Sequence, residues 1–154
     1  MCKTAVINID DEYGKRLAQE FSDIAVTYST EGNADYHAEF IRMNATGCSY
    51  MLVNEREKTA CRVDMNMTGL YNVQNSLCAI AMVTALGFDM TECAKALSDL
   101  DGVDGRMNVV YRGDFTVITD YAHTDDALIK VLSTLKPLTK GRLICVFGAA
   151  GDRD

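Results

Sequence analysis

The chain has 154 residues, which is enough for one sizeable hydrophobic core or for two small ones. Its formal net charge of −7 argues against a broad nucleic-acid-binding surface, which would need a basic face, but leaves localised phosphate binding open. No apolar run approaches the roughly 20 residues that span a bilayer, and the first residues lack the pattern of a signal peptide, so we expect no membrane association.

The first third of the chain changes from one periodicity to another. Short apolar runs at 4–10 and 23–29 predict strands, and residues 11–21 between them predict a short helix. From Asp35 onward, apolar and polar residues alternate in three runs separated by turn residues, which predicts an antiparallel meander with Tyr36, Ala38 and Phe40 on one face. These runs are 35–42, 49–53 and 61–67.

Two helices are predicted next. The first has Leu70, Val73 and Leu77 on one face, with Gly87 as a C-cap, and the second covers 89–100 with Thr91 or Asp89 as its N-cap. The glycine-bearing stretch that follows, 101–106, is the best domain boundary in the chain.

The remaining residues predict strand–helix–strand order, which implies a right-handed crossover and a parallel pair of strands. The predicted elements are strands at 107–112, 115–119 and 142–148 and a helix at about 124–136. The predicted fold class is α/β, with two parts at 1–101 and 102–154. Since the last predicted strand runs into a glycine loop without a following helix, we interpret the chain as a fragment of two domains.

The cysteines and histidines do not predict a metal site. None of the six cysteines forms a C-x-x-C pair, and the two histidines, His37 and His123, are far apart in sequence. Several cysteines lie inside apolar patterns, where a thiol acts as a small hydrophobic group. We therefore expect free thiols in a reducing, cytoplasmic environment.

Four stretches carry side chains suited to nucleotide chemistry. Asn72 and Asn75 lie three residues apart on one helix face, where they either cap the helix or pair with a purine edge. Arg106 follows a hinge-like glycine, where it is either a surface ion-pair partner or a group that stacks on a base and grips phosphate.

The third stretch is "TDYAHTDDAL", at the end of a predicted strand. Thr124 as an N-cap, followed by two acids in the first helical turn, explains part of it, but not Asp120 and His123. A carboxylate at the carboxyl end of a strand can accept hydrogen bonds from paired ribose hydroxyls. The fourth stretch, "VFGAAGDRD", is a glycine loop that lacks the G-K-[ST] of a P-loop.

In their order along the chain and in their residues, these stretches resemble motifs of the Mur ligases. Among these enzymes they are most similar to the branch that adds the third amino acid to the peptide stem of the cell-wall precursor. "VINIDDEYGKRLA" is similar to N-x-D-D-x-x-G-x-x-L-A, "GLYNVQN" to G-x-[FY]-N-x-x-N, "GVDGRM" to G-V-x-G-R-M, "DYAHTDDAL" to D-Y-A-H-T-P-D-A-L, and "VFGAAGDRD" to V-F-G-x-G-G-D-R-D. The resemblance covers almost the whole chain. It departs from the family pattern at Asp104, Asp125 and Ala150.

The resemblance implies that 1–101 is the later half of a central ATP-binding domain, a mixed sheet with an antiparallel portion, and that 102–154 begins a Rossmann-like C-terminal domain. It implies an ATP site in which Asp120 binds ribose, Arg106 lines the base and phosphates, and Asn72 or Asn75 meets adenine. His123 would take an orienting or phosphate-side role, and Arg153 would hold the amino-acid substrate. The P-loop and the magnesium ligands of the family would lie upstream.

The implied reaction is ATP-dependent amide formation through an acyl phosphate. The substrates would be UDP-N-acetylmuramoyl-L-alanyl-D-glutamate and a diamino acid, either diaminopimelate or lysine, with the full enzyme acting as a monomer and the isolated chain inactive. Two alternatives stay open: another ligase of the superfamily, such as a folylpolyglutamate or cyanophycin synthetase, or a nucleotide-binding module without catalysis.

Overall fold

The structure is a computed structural model that describes residues 2–148. It contains a five-stranded sheet in the order β1-β2-β3-β4-β5 and a separate two-stranded sheet, β6-β7. The strands are β1 Ala5–Asn8, β2 Ala25–Ser29, β3 Tyr36–Asn44, β4 Gly47–Asn54, β5 Thr59–Met65, β6 Asn108–Arg112 and β7 Thr116–Thr119. The helices are α1 Glu12–Glu20, α2 Leu70–Ala85, α3 Met90–Ser98 and α4 Asp125–Leu135, with a short 3₁₀ helix at Lys136–Leu138.

The large sheet is mixed. β1, β2 and β3 run parallel to one another, whereas β3, β4 and β5 pair antiparallel, which confirms the predicted meander. α1 forms the crossover between β1 and β2. Its Gly14 packs directly against the backbone of Asn8, so this crossover is tight.

The core lies between the large sheet and the helices α2 and α3. Strict alternation in β4 places Tyr50 and Leu52 in this core and leaves their neighbours partly exposed, as expected for a sheet covered on one face. The helices contribute most of the apolar face predicted from the sequence: Val73 and Leu77 are buried in the core, whereas Leu70 is 43% exposed and lies outside it. The core side chains are Val26, Tyr36, Ala38, Cys48, Tyr50, Leu52, Val63, Met65, Val73, Leu77, Ile80, Ala81, Met90 and Ala94.

The prediction that Phe40 shares one face of β3 with Tyr36 and Ala38 is wrong. The register of β3 and β4 shifts between Glu39 and Arg42, and Phe40 has a positive φ of 52°. This bulge breaks the period of two, so Phe40 is 76% exposed and does not share the buried face of Tyr36 and Ala38.

Helix caps agree with the sequence. Asp89 is the N-cap of α3, accepting a hydrogen bond from the Glu92 backbone N–H at 2.9 Å, so Thr91 is not the cap. Thr124 is the N-cap of α4, with acids in the first turn. Gly87 follows the last residues of α2 with a φ of 94°, which glycine adopts without strain.

The predicted strand at 142–148 is wrong, and so is the parallel pair that it was to form. These residues form no strand, and Ile144, Val146 and Phe147 are largely exposed. A strand needs a hydrogen-bonded partner and a packed face. The β6–β7 sheet provides little surface for one, and α4 has no buried residue.

Three chemical properties of the described residues bear on function. All six cysteines, which lie within 2–148, carry free thiols. Within the same range no group of three His, Cys, Asp or Glu side chains is placed to hold a metal ion. None of the helices formed by these residues has the length and apolar character needed to span a bilayer.

Candidate functional site

A cavity of about 560 Å³ lies between α2, the 101–107 junction and α4, and it is lined by all five of the predicted nucleotide-binding residues. α2 contributes one wall, the 101–107 junction a second, and the segment after β7 together with α4 a third. The predicted residues in the lining are Asn72, Asn75, Arg106, Asp120 and His123.

Asn72 and Asn75 do not cap α2. The N-cap is Gly69, which has no side chain, and Asn72 lies one turn inside the helix, where its Nδ2 donates to the carbonyl oxygen of Thr68 at 2.8 Å. That hydrogen bond fixes a buried amide whose Oδ1 accepts no hydrogen bond within 2–148. Asn75, three residues on, is exposed at the same cavity. The capping interpretation is therefore wrong.

Asp120 lies directly after β7 and is held by backbone N–H groups. Its Oδ2 accepts from Met107 at 2.9 Å and its Oδ1 accepts from Ala122 at 2.8 Å. Each carboxylate oxygen has two lone pairs, so each can accept one further hydrogen bond. The carboxylate is thus oriented by the protein and still able to bind a donor in the cavity.

Arg106 is exposed, and its guanidinium carbon lies 5.4 Å from the centroid of the Tyr121 ring. It forms no ion pair with any residue in 2–148, so the surface ion-pair interpretation does not hold within that range. A planar cation held against an aromatic ring keeps its donors free for phosphate or a base.

His123 has a defined tautomer. Its Nδ1 lies 2.8 Å from the carbonyl oxygen of Tyr121, and since a carbonyl only accepts, Nδ1 carries the proton. The Tyr121 ring packs edge-on against the imidazole, with centroids 4.9 Å apart. In the neutral ring Nε2 is then an acceptor, which suits a hydroxyl or amino group of a ligand better than a phosphate.

Sequence reasoning missed three other residues in the lining. Asp126 and Lys130 form an ion pair of 2.6 Å along α4 at the edge of the cavity. Tyr71, inside the "GLYN" stretch, lines the cavity, and burial, with the nearby negative charge of Asp120, raises its pKa to about 12. Its position beside Asn72 was the available signal, but a tyrosine in a helix is more often a packing residue.

Two other concave regions are less suitable for a nucleotide. One of about 730 Å³ is lined mainly by apolar side chains of α4 and 143–148, and it has no guanidinium or amide side chain among its lining residues. The other, of about 660 Å³, contains Glu31, Asp35, Glu39 and Glu55, whose charge would repel phosphates. The cavity at the junction combines amide, carboxylate and guanidinium groups.

Arg153 and the glycine loop around it lie outside the described residues, so its predicted contact with the amino-acid substrate stays a prediction. The predicted division at residue 101 likewise stays a prediction.

Two family models match the chain, and both describe domains of the same family. The model described as "Mur ligase middle domain" matches residues 1–83, and the model described as "Mur ligase, glutamate ligase domain" matches residues 105–154. Curated relatives are named UDP-N-acetylmuramoyl-L-alanyl-D-glutamate–2,6-diaminopimelate ligase. The protein from Clostridium botulinum is 37% identical over 99% of this chain and 32% of its own length. The protein from Gloeobacter violaceus is 41% identical over 97% of this chain and 30% of its own length.

A solved structure of a protein with the same name superimposes with a TM-score of 0.72 and 35% identity, covering 99% of this chain and 32% of that one. The chain therefore spans about a third of the length of the relatives it matches.

Proposed function

The chain belongs to the Mur ligase family, and we propose that it is part of an ATP-dependent ligase that joins 2,6-diaminopimelate to UDP-N-acetylmuramoyl-L-alanyl-D-glutamate. The sequence motifs did not distinguish diaminopimelate from lysine as the amino-acid substrate. The relatives described above, at 35–41% identity, carry diaminopimelate in their names, which favours it.

The observation that supports this function is the cavity at the junction, in which α2 supplies two amides, the residues before β6 supply a guanidinium, and the residues after β7 supply a carboxylate and an imidazole. Amides pair with the edge of adenine, and an oriented carboxylate accepts from ribose hydroxyls. In this proposal Asn72 and Asn75 hold the base, Asp120 holds the ribose, and Arg106 lies against the base and the phosphates. His123 orients a hydroxyl or amino group through Nε2.

The proposed chemistry has two steps. A carboxylate oxygen of the muramyl dipeptide attacks the γ-phosphorus of ATP, and ADP leaves. The amine of the diamino acid then attacks the acyl carbon, loses a proton, and displaces phosphate to give the amide. Such reactions depend on positioning and charge neutralisation more than on a protein nucleophile. The described residues would contribute by fixing the adenosine end of ATP.

Magnesium and the phosphate-binding groups are proposed to lie outside this chain, in the part of the family's central domain that precedes the matched segment. The isolated chain is then expected to be inactive, because the γ-phosphate would lack its electrostatic clamp. The full enzyme is proposed to work as a monomer in the cytoplasm, without membrane or nucleic-acid partners.

The test uses the full-length protein that contains this chain. Purified enzyme, ATP, Mg²⁺ and the muramyl dipeptide nucleotide are incubated with diaminopimelate or with lysine, and the product is identified by mass spectrometry. Amide formation with diaminopimelate is expected, and its absence with active ATP turnover would contradict the assignment.

The site is tested separately by calorimetric binding of ATP. Asn75→Ala should weaken binding about three- to tenfold, the effect of losing one hydrogen bond. Gln19→Ala removes an exposed helical amide on α1, away from the cavity, and should leave binding unchanged. Equal affinities for the two variants would contradict the placement of ATP in this cavity.

A further inference from the structure

Tyr71 is half-buried, but its hydroxyl oxygen is fully buried and has no hydrogen-bond partner among residues 2–148. Burying a hydroxyl without a partner costs free energy, and native structures leave few such groups. Tyr50 shows the usual arrangement, because its equally buried hydroxyl lies 2.7 Å from the Ser76 Oγ. Tyr71 thus keeps an unused donor and acceptor at the site.

The surroundings of Tyr71 restrict what it can bind. Its ring packs against Gly69, where an added Cβ would lie 2.8 Å from Cε1, so this packing depends on the absence of a side chain at position 69. Tyr71 lines the same cavity as Asp120 and Arg106. Tyr71 therefore shares a cavity with the Asp120 carboxylate, which has free lone pairs.

We propose that the Tyr71 hydroxyl hydrogen-bonds to a ribose hydroxyl of bound ATP, which makes Tyr71 a further nucleotide-binding residue. The proposal rests on the proposed function, since it needs ATP in this cavity. The Tyr71 phenol supplies a hydrogen-bond donor that Asp120 lacks, because an ionised carboxylate only accepts hydrogen bonds. A ribose hydroxyl that donates to Asp120 retains lone pairs, and the phenol O–H can donate to them.

In this proposal, rotation at the junction makes the buried hydroxyl accessible to the ribose. Gly102, Gly105 and Met107 all have positive φ, and they lie in the short segment that connects α3 to β6. Rotation at such a segment moves Arg106, Asp120 and His123 relative to Tyr71, and a bound nucleotide would set their spacing.

The first test measures thermal unfolding of the full-length protein with and without ATP. Tyr71→Phe removes only the hydroxyl, so it should raise the Tm of the nucleotide-free protein and reduce the additional stabilisation by ATP. Tyr50→Phe is the matched control, because it removes a satisfied hydroxyl. It should lower the Tm and leave the ATP-dependent shift unchanged. A Tyr71→Phe variant with a lower Tm and a normal ATP shift would overturn the proposal.

The second test measures dissociation constants for ATP, 2′-deoxy-ATP and 3′-deoxy-ATP. Tyr71→Phe should weaken ATP binding about three- to tenfold, the effect of one hydrogen bond, and this effect should disappear with one of the deoxynucleotides. An undiminished effect with both would overturn the ribose contact, and so would an unchanged affinity for ATP. Failure of the wild-type protein to bind ATP would instead contradict the proposed function.

Discussion

The Oδ2 atom of Asp120 accepts a hydrogen bond from the backbone N–H of Met107 at 2.9 Å, and this contact joins the end of β7 to the segment between α3 and β6. Met107 is a buried residue with a φ of 49°. Residues other than glycine adopt such a conformation only at a cost in free energy. The carboxylate proposed to bind ribose therefore also stabilises the junction.

Asp120→Ala in the full-length enzyme should raise the KM for ATP at least about tenfold, since hydrogen bonds to a charged acceptor contribute about 1.5–3 kcal/mol. It should also lower the Tm, because the Met107 and Ala122 N–H groups lose their acceptor. Kinetics and circular dichroism check the two effects. Asp114→Ala, in the exposed turn between β6 and β7, is the control. A folded variant with an unchanged KM would leave Asp120 with the junction role alone.

Gly14→Ala should destabilise the protein by about 3 kcal/mol, at the upper end of the usual cost of overpacking. The added Cβ would lie 1.7 Å from the carbonyl oxygen of Asn8, which is backbone and cannot rotate away. Gly141→Ala is the matched control, because nothing lies within 4 Å of its added Cβ. Denaturant unfolding of the two variants checks this, and similar stabilities would show that α1 does not pack tightly on β1.

Asp10→Asn should destabilise the protein at neutral pH, and its difference from the wild type should shrink as the pH falls below about 4. Burial by itself would raise the pKa of the Asp10 carboxyl, but hydrogen bonds from Ser29, Gln74 and Thr30 hold it below its usual value. The unfolded chain then binds the proton more readily. The stabilisation is present above the ordinary carboxyl pKa and is lost as the pH falls through the folded one.

Urea unfolding at pH 7, 4 and 3 measures this dependence. Asp23→Asn, an exposed position just before β2, is the control and should give little change at any of these pH values. A difference between Asp10→Asn and the wild type that stays constant with pH would show that the carboxylate charge does not matter there.

Arg153→Lys in the intact enzyme should raise the KM for the amino-acid substrate strongly and leave the KM for ATP nearly unchanged. The family resemblance assigns the G-D-R-D arginine to this substrate, and lysine keeps the charge but loses the planar fork that grips a carboxylate bidentately. Arg142→Lys, an exposed arginine, is the control. Steady-state kinetics in both substrates decide the matter, since KM values that move together would show that Arg153 does not hold the carboxylate.

Much of the candidate site could be predicted because its signals are local in sequence. Asp120, His123 and Thr124 follow one strand and precede one helix, and the spacing of Asn72 and Asn75 places both near one face of α2. Tyr71 was missed because nothing in its neighbours distinguishes a packed ring from an unpartnered hydroxyl. That distinction depends on the surroundings of the oxygen, and the cavity that Tyr71 lines is formed partly by residues 103–131, which are distant in sequence.

The sequence alone determined the alternation of the antiparallel strands, the N-caps at Asp89 and Thr124, and the family motifs, because each depends on residues only a few positions apart. Tertiary structure decided the bulge that exposes Phe40, the irregular path of 142–148, and the meeting of Asn72 with Asp120 in one cavity. These features depend on which hydrogen-bonding partners and packing surfaces the rest of the chain places beside each segment. Local periodicity specifies the faces of an element, but not what lies against them.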